Sequence, residues 1–312
     1  MSLLDLRFVM LSGKGGVGRT TVAAAMARVA AAAGKRVLLA EAATTDRLGR
    51  MFGRAPVGTR VEAIAERIDA VNITPESALH EYGLLTLRSE LVTRALFENR
   101  AVRGFLGAIP GLDAYAVLGK VWWHTTEVAT GRPRYDLVIF DASATGHATL
   151  MLRIPNAILE AMPKGPLARD ARAIRDLLHD PARAALTIVT LPETLPARET
   201  ADLAAATRSL GIPLGPLIVN AVPDAELGNE AMTAVLTCAP EPLPDSQLGA
   251  TLRLAERVRA HRRAADAVIE SLKANPGLPM IRLPRVPTVD IGPALIDALV
   301  PALATGLGAV NP

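Results

Sequence analysis

A glycine-rich run near the amino terminus has the residue types and the spacing of a phosphate-binding loop. Glycines allow the backbone to turn tightly, so that several N–H groups face one concavity, and the start of a following helix adds partial positive charge to it. The run fits the pattern G-x-x-x-x-G-K-[ST], except that arginine stands in the lysine position. The candidate nucleotide-binding residues of this run are Gly13, Lys14, Gly15, Gly16, Val17, Gly18, Arg19, Thr20 and Thr21. The alternative is a glycine-rich connection between a strand and a helix that holds no ligand.

Two oxygen-bearing side chains are candidates for holding a magnesium ion that accompanies a bound nucleotide. Thr20 carries a hydroxyl at the end of the glycine-rich run, where such loops place a ligand of phosphate-bound magnesium. Asp141 follows the apolar run 137–140, and an aspartate after a buried strand can hold the ion directly or through water. Many strands end in aspartate, so Asp141 is a functional candidate only in combination with the glycine-rich run.

Two acidic residues after the second apolar run are candidates for catalysis. Residues 37–40 are predicted to form a buried strand, Glu41 follows them directly, and Asp46 lies shortly after. At the carboxyl end of a parallel strand beside the first, a carboxylate lies near the terminal phosphate of a nucleotide. Either acid could order the attacking water or the magnesium shell, and either could instead be a surface acid at a strand end.

Apolar runs of strand length alternate with helical segments along the chain. Most of these runs are continuous, which is typical of strands that are buried on both faces. The predicted strands are residues 8–11, 37–40, 70–73, 137–140, 186–189, 217–219 and 280–283. The predicted helices are residues 20–33, 75–106, 158–178, 199–210 and 248–273. This order predicts an α/β fold with a doubly wound, mainly parallel sheet, in a single domain over residues 1–312.

Composition limits the classes of protein to which the chain can belong. Half of the residues are hydrophobic but only 3% are aromatic, so the core must consist mainly of Ala, Leu, Val and Ile. The net charge of +3 is a small excess, and we expect no nucleic-acid partner. The sequence has neither a signal peptide nor a run of about 18 uninterrupted apolar residues, so we expect a soluble cytoplasmic protein without stable membrane insertion.

Three segments, KGGVGRT at 14–20, DASATGH at 141–147 and LPETLPARET at 191–200, resemble motifs of one group of ATPases. The first is similar to the deviant Walker A motif of SIMIBI-class ATPases, which carries an extra lysine after the first glycine. The second and third are similar to the D-x-A-P-T-G-H switch II and the I-P-E-x-L-S-x-x-E-T segment of the ArsA family. That family includes arsenical-pump ATPases and the guided-entry ATPases that target tail-anchored membrane proteins. Val219-Asn220 also resembles its adenine-reading V-N pair.

The resemblance implies an ATPase of the phosphate-loop fold that binds ATP or ADP with Mg²⁺. It also implies a dimer, formed with an identical chain or with a homologous ATPase subunit, which ATP closes and hydrolysis opens. In such ATPases the extra lysine, here Lys14, reaches across the dimer interface to the phosphates of the partner. Asn220 would read the edge of the adenine base, because its amide carries both a donor and an acceptor.

The same resemblance gives expected roles to two further segments. Residues 142–147 would form the small-residue loop of switch II, in which Gly146 and His147 respond to the terminal phosphate. His147 could instead have only a structural role in that loop. Glu193 and Glu199 would hold the helix that follows them, by capping or ion pairing.

Three departures from the family motifs fall around one site and predict slow hydrolysis. Arg19 keeps the charge of the usual lysine, but its planar guanidinium is longer and bulkier and should change the phosphate geometry. The switch I pattern D-P-A-H aligns with ATTD at 43–46, so its acid is missing unless Glu41 or Asp46 substitutes. Ala144 replaces the switch II proline. The chain is therefore either a slow ATPase or a non-hydrolysing, nucleotide-bound regulatory subunit of a heterodimer.

The client side of the chain also departs from the family. Arsenical pumps bind metalloid through a cysteine cluster and guided-entry enzymes clamp zinc through C-x-x-C, but Cys238 is the only cysteine, so we expect neither ligand. Helical subregions at 75–130 and 154–180 are candidates for contact with a protein client or a partner, or are ordinary helices covering the sheet. A partition or division-site ATPase is a third interpretation, but D-x-D after the second strand is absent, and the amphipathic run 292–310 lacks lysine and arginine.

Overall fold

The computed structural model describes most of the chain, and all structural statements below refer to those residues. They are 2–42, 46–87, 111–142, 145–223, 234, 237–238, 246–288 and 290–309, with only the backbone described at 85–87, 145 and 147.

Eight strands of the described residues form one sheet in the order β10-β9-β8-β1-β7-β2-β4-β3. They are β1 Phe8–Ser12, β2 Val37–Glu41, β3 Glu62–Ala65, β4 Ile68–Asn72, β7 Leu137–Asp141, β8 Ala184–Thr190, β9 Leu217–Val222 and β10 Met280–Pro284, while β5 Val128–Ala129 and β6 Arg132–Pro133 pair separately. All neighbours in the large sheet are parallel except the edge strand β3. The predicted doubly wound, mainly parallel α/β fold is confirmed.

Helices cover both faces of this sheet. They are α1 Arg19–Ala32, α2 Leu48–Met51, α3 Pro75–Leu87, α4 Leu112–Thr126, α5 Thr145–Ala161, α6 Pro166–Leu178, α7 Thr194–Ser209, α8 Gln247–Ala274 and α9 Pro293–Leu307. The predicted helix 75–106 begins as α3, and its part after residue 87 lies outside the described residues. The prediction of one helix over 158–178 was wrong, because Pro163 and Gly165 separate α5 from α6. Gly165 has a φ angle of 103°, which a continuous helix cannot contain.

The two faces of each central strand belong to two different hydrophobic clusters. In β1, Phe8 and Met10 pack under α4, α5, α6 and α7, whereas Val9 and Leu11 pack under α1 and α9. The alternation follows from the pleat, which points successive side chains to opposite faces. Because both faces are apolar, the strand reads as a continuous apolar run, as the sequence indicated.

Helix α1 lies in the middle of one of these clusters and is apolar almost all round. Ala23, Ala24 and Ala25 have no exposed surface, so their small side chains allow α1 to approach both the sheet and α9. On the same face, a Cβ on Gly306 of α9 would lie 2.5 Å from Cγ2 of Ile281 in β10. The helix that follows the glycine-rich loop is therefore held in the core along its length.

The carboxyl edge of the sheet, where the parallel strands end, gathers residues that are far apart in the sequence. The register pairs Leu11 of β1 with Asp141 of β7, and Asp141 with Glu41 of β2. It also places Ser12 of β1 beside Ile188 of β8. In open parallel sheets this edge is where ligands bind, at the point where the strand order reverses.

The amino edge of the sheet, where the same strands begin, is closed by polar contacts. Asp136, just before β7, accepts from Arg36 through both carboxylate oxygens, at 2.8 Å from Nη2 and 3.1 Å from Nε. The hydrogen bond and charge of Arg36 hold the pKa of the Asp136 carboxyl below its usual range. Arg7 donates from Nη2 to the carbonyl oxygen of Thr125 at 2.6 Å, which joins the start of β1 to the end of α4.

A second group of polar contacts at the amino edge surrounds the buried side chains of Tyr135 and His124. Tyr135 donates from its hydroxyl to Asp69 at 2.9 Å, and His124 Nδ1 lies 2.7 Å from Oε2 of Glu127. Arg134 reaches Oε1 of Glu127 at 3.3 Å. Burial acts to raise the pKa of Glu127, but His124 and Arg134 together outweigh it and lower that pKa. The carboxylates of Asp136 and Glu127 are therefore each paired with an arginine at this edge.

Candidate active site

The glycine-rich run forms a tight loop between β1 and α1. Gly13, Gly16 and Gly18 have φ angles of 151°, 88° and 86°, in the region that favours glycine. A Cβ on Gly13 would lie 2.1 Å from the carbonyl oxygen of Val189 in β8, so no larger residue fits there. The loop is thus fixed to the sheet at its start, while Gly15 and Gly16 are exposed.

Helix α1 begins at the end of this loop with its amino terminus available to an anion. Its N-cap residue is Gly18, which has no side chain to cap the helix, and the partial positive charge at a helix start favours phosphate. Val17 is buried and anchors the loop in the core. Thr21 is also buried, and its hydroxyl contacts Met51 Sδ at 3.9 Å.

Thr20 and Asp141 meet at the carboxyl edge. The Thr20 hydroxyl donates to Oδ2 of Asp141 at 2.5 Å, and both residues are buried. The other carboxylate oxygen, Oδ1, is buried and has no hydrogen-bond partner among the described residues. Burial raises the pKa of the Asp141 carboxyl, against the opposing effects of Thr20 and Arg19. A buried carboxylate oxygen beside a hydroxyl suits a hard divalent cation such as Mg²⁺, so these two residues fit the expected metal.

Arg19 points into the loop and toward the carboxylate. Its Nη1 donates to the carbonyl oxygen of Gly13 at 2.8 Å, and its Nε lies 3.6 Å from Oδ1 of Asp141. The side chain is only 13% exposed. Burial lowers the pKa of the Arg19 guanidinium, and the charge of Asp141 opposes that change. The arginine in the lysine position therefore interacts with the proposed metal ligand.

Glu41 is the buried acid beside Asp141. It is 1% exposed, and its Oε1 accepts from the backbone N–H of Arg47 at 2.9 Å. Its Oε2 is buried with no hydrogen-bond partner in the described part of the chain. Burial raises the pKa of Glu41 to about 8, and the nearby carboxylates of Asp46 and Asp141 add to the rise. The structure thus brings this predicted catalytic acid next to the predicted metal ligand.

Asp46 has a different set of contacts. Its carboxylate accepts from the backbone N–H groups of Leu48 at 3.1 Å and Gly49 at 3.3 Å, at the start of α2. Residues 43–45, which align with the family's switch I, lie outside the described residues. Glu41, in contrast, has a buried carboxylate oxygen that accepts no hydrogen bond within the described residues.

Lys14 has a partner that the sequence did not suggest. Its Nζ lies 2.6 Å from Oε1 of Glu199 in α7, and the side chains are 29% and 32% exposed. The sequence assigned Glu193 and Glu199 to the helix that follows them. Glu193 is the N-cap residue of α7, but its side chain makes no capping hydrogen bond within the described residues. Glu199 forms its ion pair with Lys14 of the glycine-rich loop, a contact that the sequence did not predict.

A cavity of about 310 Å³ lies beside the loop and has the size of a small-molecule site. It is lined by residues 16–18, by residues 191–193 and by Asn220, His261 and Arg285. Asn220 donates from Nδ2 to the carbonyl oxygen of Val17 at 2.9 Å, which leaves its amide oxygen to accept from a base. His261 and Arg285 were missed, because neither is part of a motif in the sequence.

The predicted switch II loop is shorter than expected. Ala142 N donates to the carbonyl oxygen of Leu11 at 3.0 Å, and α5 begins at Thr145. Gly146 and His147 therefore belong to the first turn of a helix, where Gly146 is exposed. Residues 143–144 and the side chain of His147 lie outside what is described, and a phosphate-sensing role for Gly146 and His147 stays a prediction.

A second cavity, of about 610 Å³, lies between α3, α4 and α6, within the subregions 75–130 and 154–180. Tyr82, Tyr115, Trp122 and Trp123 contribute aromatic surface to its wall. None of the helices in the described residues is both long enough and apolar enough to cross a membrane.

Comparison with known proteins gives one family match and several relatives. The family described as anion-transporting ATPase matches residues 6–166, a segment that contains the loop, Glu41 and Asp141. The ATPase BagA of Mycobacterium tuberculosis is 28% identical over 314 residues, which covers 93% of this chain and 91% of the relative. An arsenical pump-driving ATPase of Escherichia coli is 27% identical, with 73% of this chain and 42% of the relative covered. The ATPase ASNA1 homolog 1 of Paramecium tetraurelia is 28% identical, with coverages of 51% and 46%.

Proposed function

Because the chain belongs to the ArsA family of anion-transporting ATPases, we propose that it binds ATP and hydrolyses it slowly. The proposed form is a cytoplasmic dimer whose closure is coupled to a protein client. The observation that carries this proposal is the convergence of Thr20, Asp141 and Glu41 at the carboxyl edge, beside a glycine-rich loop and a helix start. Metalloid transport is outside the proposal, since the chain has a single cysteine.

The loop and the adjoining cavity would bind different parts of the nucleotide. The backbone N–H groups of the loop and of the first turn of α1 would hold the phosphates, because an uncapped helix start attracts anions. The cavity beside the loop would hold the nucleoside, with the Asn220 amide oxygen accepting from the amino group of adenine. Guanine presents an acceptor at the corresponding position, so this arrangement favours adenine.

Thr20 and Asp141 would hold Mg²⁺, which when bound supplies positive charge that offsets charge developing on the phosphate oxygens. Glu41 would order and deprotonate the attacking water. It lies beside Asp141 in the register of β2 and β7, and its buried Oε2 has no hydrogen-bond partner in the described residues. With a pKa of about 8, Glu41 is mostly protonated at neutral pH before a ligand arrives. A protonated acid cannot accept a proton from water, which supports slow turnover.

Lys14 would act across the dimer interface. It lies at the exposed start of the loop, and a cation delivered by the partner subunit stabilises charge in the transition state and couples chemistry to closure. We expect Lys14→Ala to retain ATP binding and to abolish ATP-dependent dimer closure, followed by light scattering. Closure that is unchanged in this variant would contradict the role.

We propose that a protein client contacts the cavity between α3, α4 and α6, whose wall is partly aromatic.

A second candidate function is that of a nucleotide-bound regulatory subunit that does not hydrolyse ATP. The observation that favours it is Arg19, whose guanidinium contacts Gly13 and lies 3.6 Å from Asp141. A cation in this position competes with a metal ion for the same carboxylate. Such a subunit would require a homologous partner that supplies the active site.

Steady-state ATP hydrolysis and calorimetric ATP binding, measured on the same sample with and without Mg²⁺, test both functions. Binding with magnesium-dependent turnover supports the autonomous ATPase. Binding without turnover supports the regulatory subunit, and absence of binding contradicts both.

A further inference from the structure

Lys14, at the start of the glycine-rich loop, forms an ion pair with Glu199 of α7. The Nζ–Oε1 distance of 2.6 Å is that of a charge-assisted hydrogen bond. Both side chains are about one-third exposed, so the pair is accessible from outside. The amine of Lys14 is thereby held against its own subunit.

The fold places these two residues within reach of each other. Gly13 is packed against the carbonyl oxygen of Val189, so the start of the loop is fixed to the end of β8. The chain leaves β8 after Thr190 and enters α7 at Thr194, which brings the first turns of α7 beside the loop. Neither partner has to be recruited by a flexible segment.

Helix α7 presents Glu199 from a rigid position. Its neighbours Ala197 and Thr200 are buried, and the Thr200 hydroxyl donates to the carbonyl oxygen of Pro196 at 2.8 Å. The backbone of Glu199 is therefore held in place, and its carboxylate moves only by rotation about the side-chain bonds. Lys14, next to the fixed Gly13, is constrained in the same way.

We propose that Glu199 is a positioning residue that stores the Lys14 amine within its own subunit, and that dimer closure requires this ion pair to open. The inference rests on the proposed function, because only a lysine that acts on the partner subunit has to leave its own. Glu199 then sets the ATP concentration at which closure occurs. Phosphate oxygens of a nucleotide bound by the partner are the competing acceptor that draws Lys14 away.

The size of the effect follows from the exposure of the pair. A partly exposed lysine–carboxylate pair changes an equilibrium by roughly two- to fivefold, and a closing dimer has to open two of them. Loss of the carboxylate should therefore tighten ATP-dependent self-association by about tenfold. Retention of the carboxylate on a shorter side chain, in Glu199→Asp, should give a smaller change.

The test compares Glu199→Gln with a matched control. Glu270→Gln removes the same type of pair, Lys273 to Glu270 at 2.6 Å, from the exposed surface of α8. Self-association of the full chain is measured by analytical ultracentrifugation across ATP concentrations, and acylation of individual lysines in the nucleotide-free protein is mapped by mass spectrometry. We expect Glu199→Gln to speed labelling of Lys14 and to tighten self-association. Glu270→Gln should speed labelling of Lys273 and leave self-association unchanged.

Two outcomes would overturn the inference in different ways. If the unaltered protein self-associates with ATP as tightly as Glu199→Gln, or more tightly, the storage role alone is refuted. Absence of ATP-dependent self-association in both proteins would refute the proposed dimeric function, and the storage role with it. Self-association by Glu199→Gln alone would mean that the stored state dominates in the unaltered chain, as the inference predicts.

Discussion

At the two ends of strand β7, two aspartates have opposite surroundings. Asp136 at the amino edge has both carboxylate oxygens bonded to Arg36, whereas Asp141 at the carboxyl edge has a buried oxygen that accepts no hydrogen bond within the residues described and lies 3.6 Å from Arg19 Nε. Accordingly the pKa of Asp136 lies below its usual range and that of Asp141 above it. The hydrogen bond from Arg36 causes the first shift and burial causes the second.

The same contrast extends to the glutamates. Glu127 at the amino edge is bonded to His124 and Arg134, and its pKa is lowered, whereas Glu41 at the carboxyl edge has a raised pKa. Buried polar groups without partners destabilise a fold and are rare outside functional sites. The carboxylates of the amino edge are therefore paired within the fold, while those of the carboxyl edge keep oxygens available for a ligand.

The strongest test of this contrast replaces Asp141 and Asp136 by asparagine in two separate variants. We expect Asp141→Asn to reduce kcat by about 10²–10³-fold, because a ligand of the metal is lost, while leaving the urea midpoint equal or higher. Asp136→Asn should do the reverse, with a lower urea midpoint and an unchanged kcat. A large loss of stability in Asp141→Asn would mean that this carboxylate supports the fold.

The second test uses pH. The folded-state pKa of Glu41, about 8, lies above its ordinary value of 4.5, so the native chain keeps a proton that the unfolded chain releases. Stability should fall as the pH rises from about 4.5 to 8, by on the order of 2–4 kcal/mol, and Glu41→Gln should remove this fall. Urea unfolding across this pH range measures the difference between the two proteins.

Glu127→Gln is the comparison for that pH experiment. Its pKa is lowered, so its contribution is present above about pH 4.5 and is lost as the pH falls toward the folded-state pKa. The two substitutions should therefore change the pH profile in different windows, Glu41→Gln in the neutral range and Glu127→Gln in the acidic range. Equal profiles for both would contradict the contrast between the edges.

The third test concerns the arginine of the loop. We expect Arg19→Lys to raise kcat by about tenfold, because a shorter ammonium releases Asp141 to the metal. The matched change at the amino edge, Arg36→Lys, should leave kcat unaltered. No increase in Arg19→Lys would assign the slow turnover to the missing switch I acid instead.

The smallest expected effect is at Tyr135. Tyr135→Phe removes the hydrogen bond to Asp69 and should lower the free energy of unfolding by about 0.5–1.5 kcal/mol. Calorimetric ATP binding should not change, since the residue lies at the amino edge. Weaker ATP binding in this variant would show that the two edges are coupled.

Much of the fold was predictable because the central strands are buried on both faces and read as continuous apolar runs. Strand β3 was missed, since it is a short edge strand in which Glu62 and Ala63 are exposed. Helix α4 lies within the predicted helical subregion 75–130, but its bounds were not predicted, because it contains Gly119, two tryptophans and β-branched residues, which have low intrinsic helix propensity. In these two cases tertiary packing decides the local structure.

The site was predictable only where local spacing encodes it. The loop and Thr20 are contiguous, and Asp141 ends an apolar run, so both could be found in the sequence. The pairing of Lys14 with Glu199 depends on the position of β8 beside β1, and the placement of His261 and Arg285 depends on β9 and β10. Contacts of this kind arise from the order of strands in the sheet, which no single segment specifies.

The position of β1 in the sheet has a consequence for synthesis on the ribosome. Its neighbours are β7 and β8, so Phe8 pairs with Val138 and Ala184, and neither partner exists when β1 leaves the ribosome. At ordinary translation rates the wait for β7 is on the order of ten seconds, during which an apolar strand and its glycine-rich loop have no sheet to join. Until β7 and β8 have emerged, the apolar strand β1 is exposed to aggregation, and the nucleotide site can form only after β8 has been synthesised.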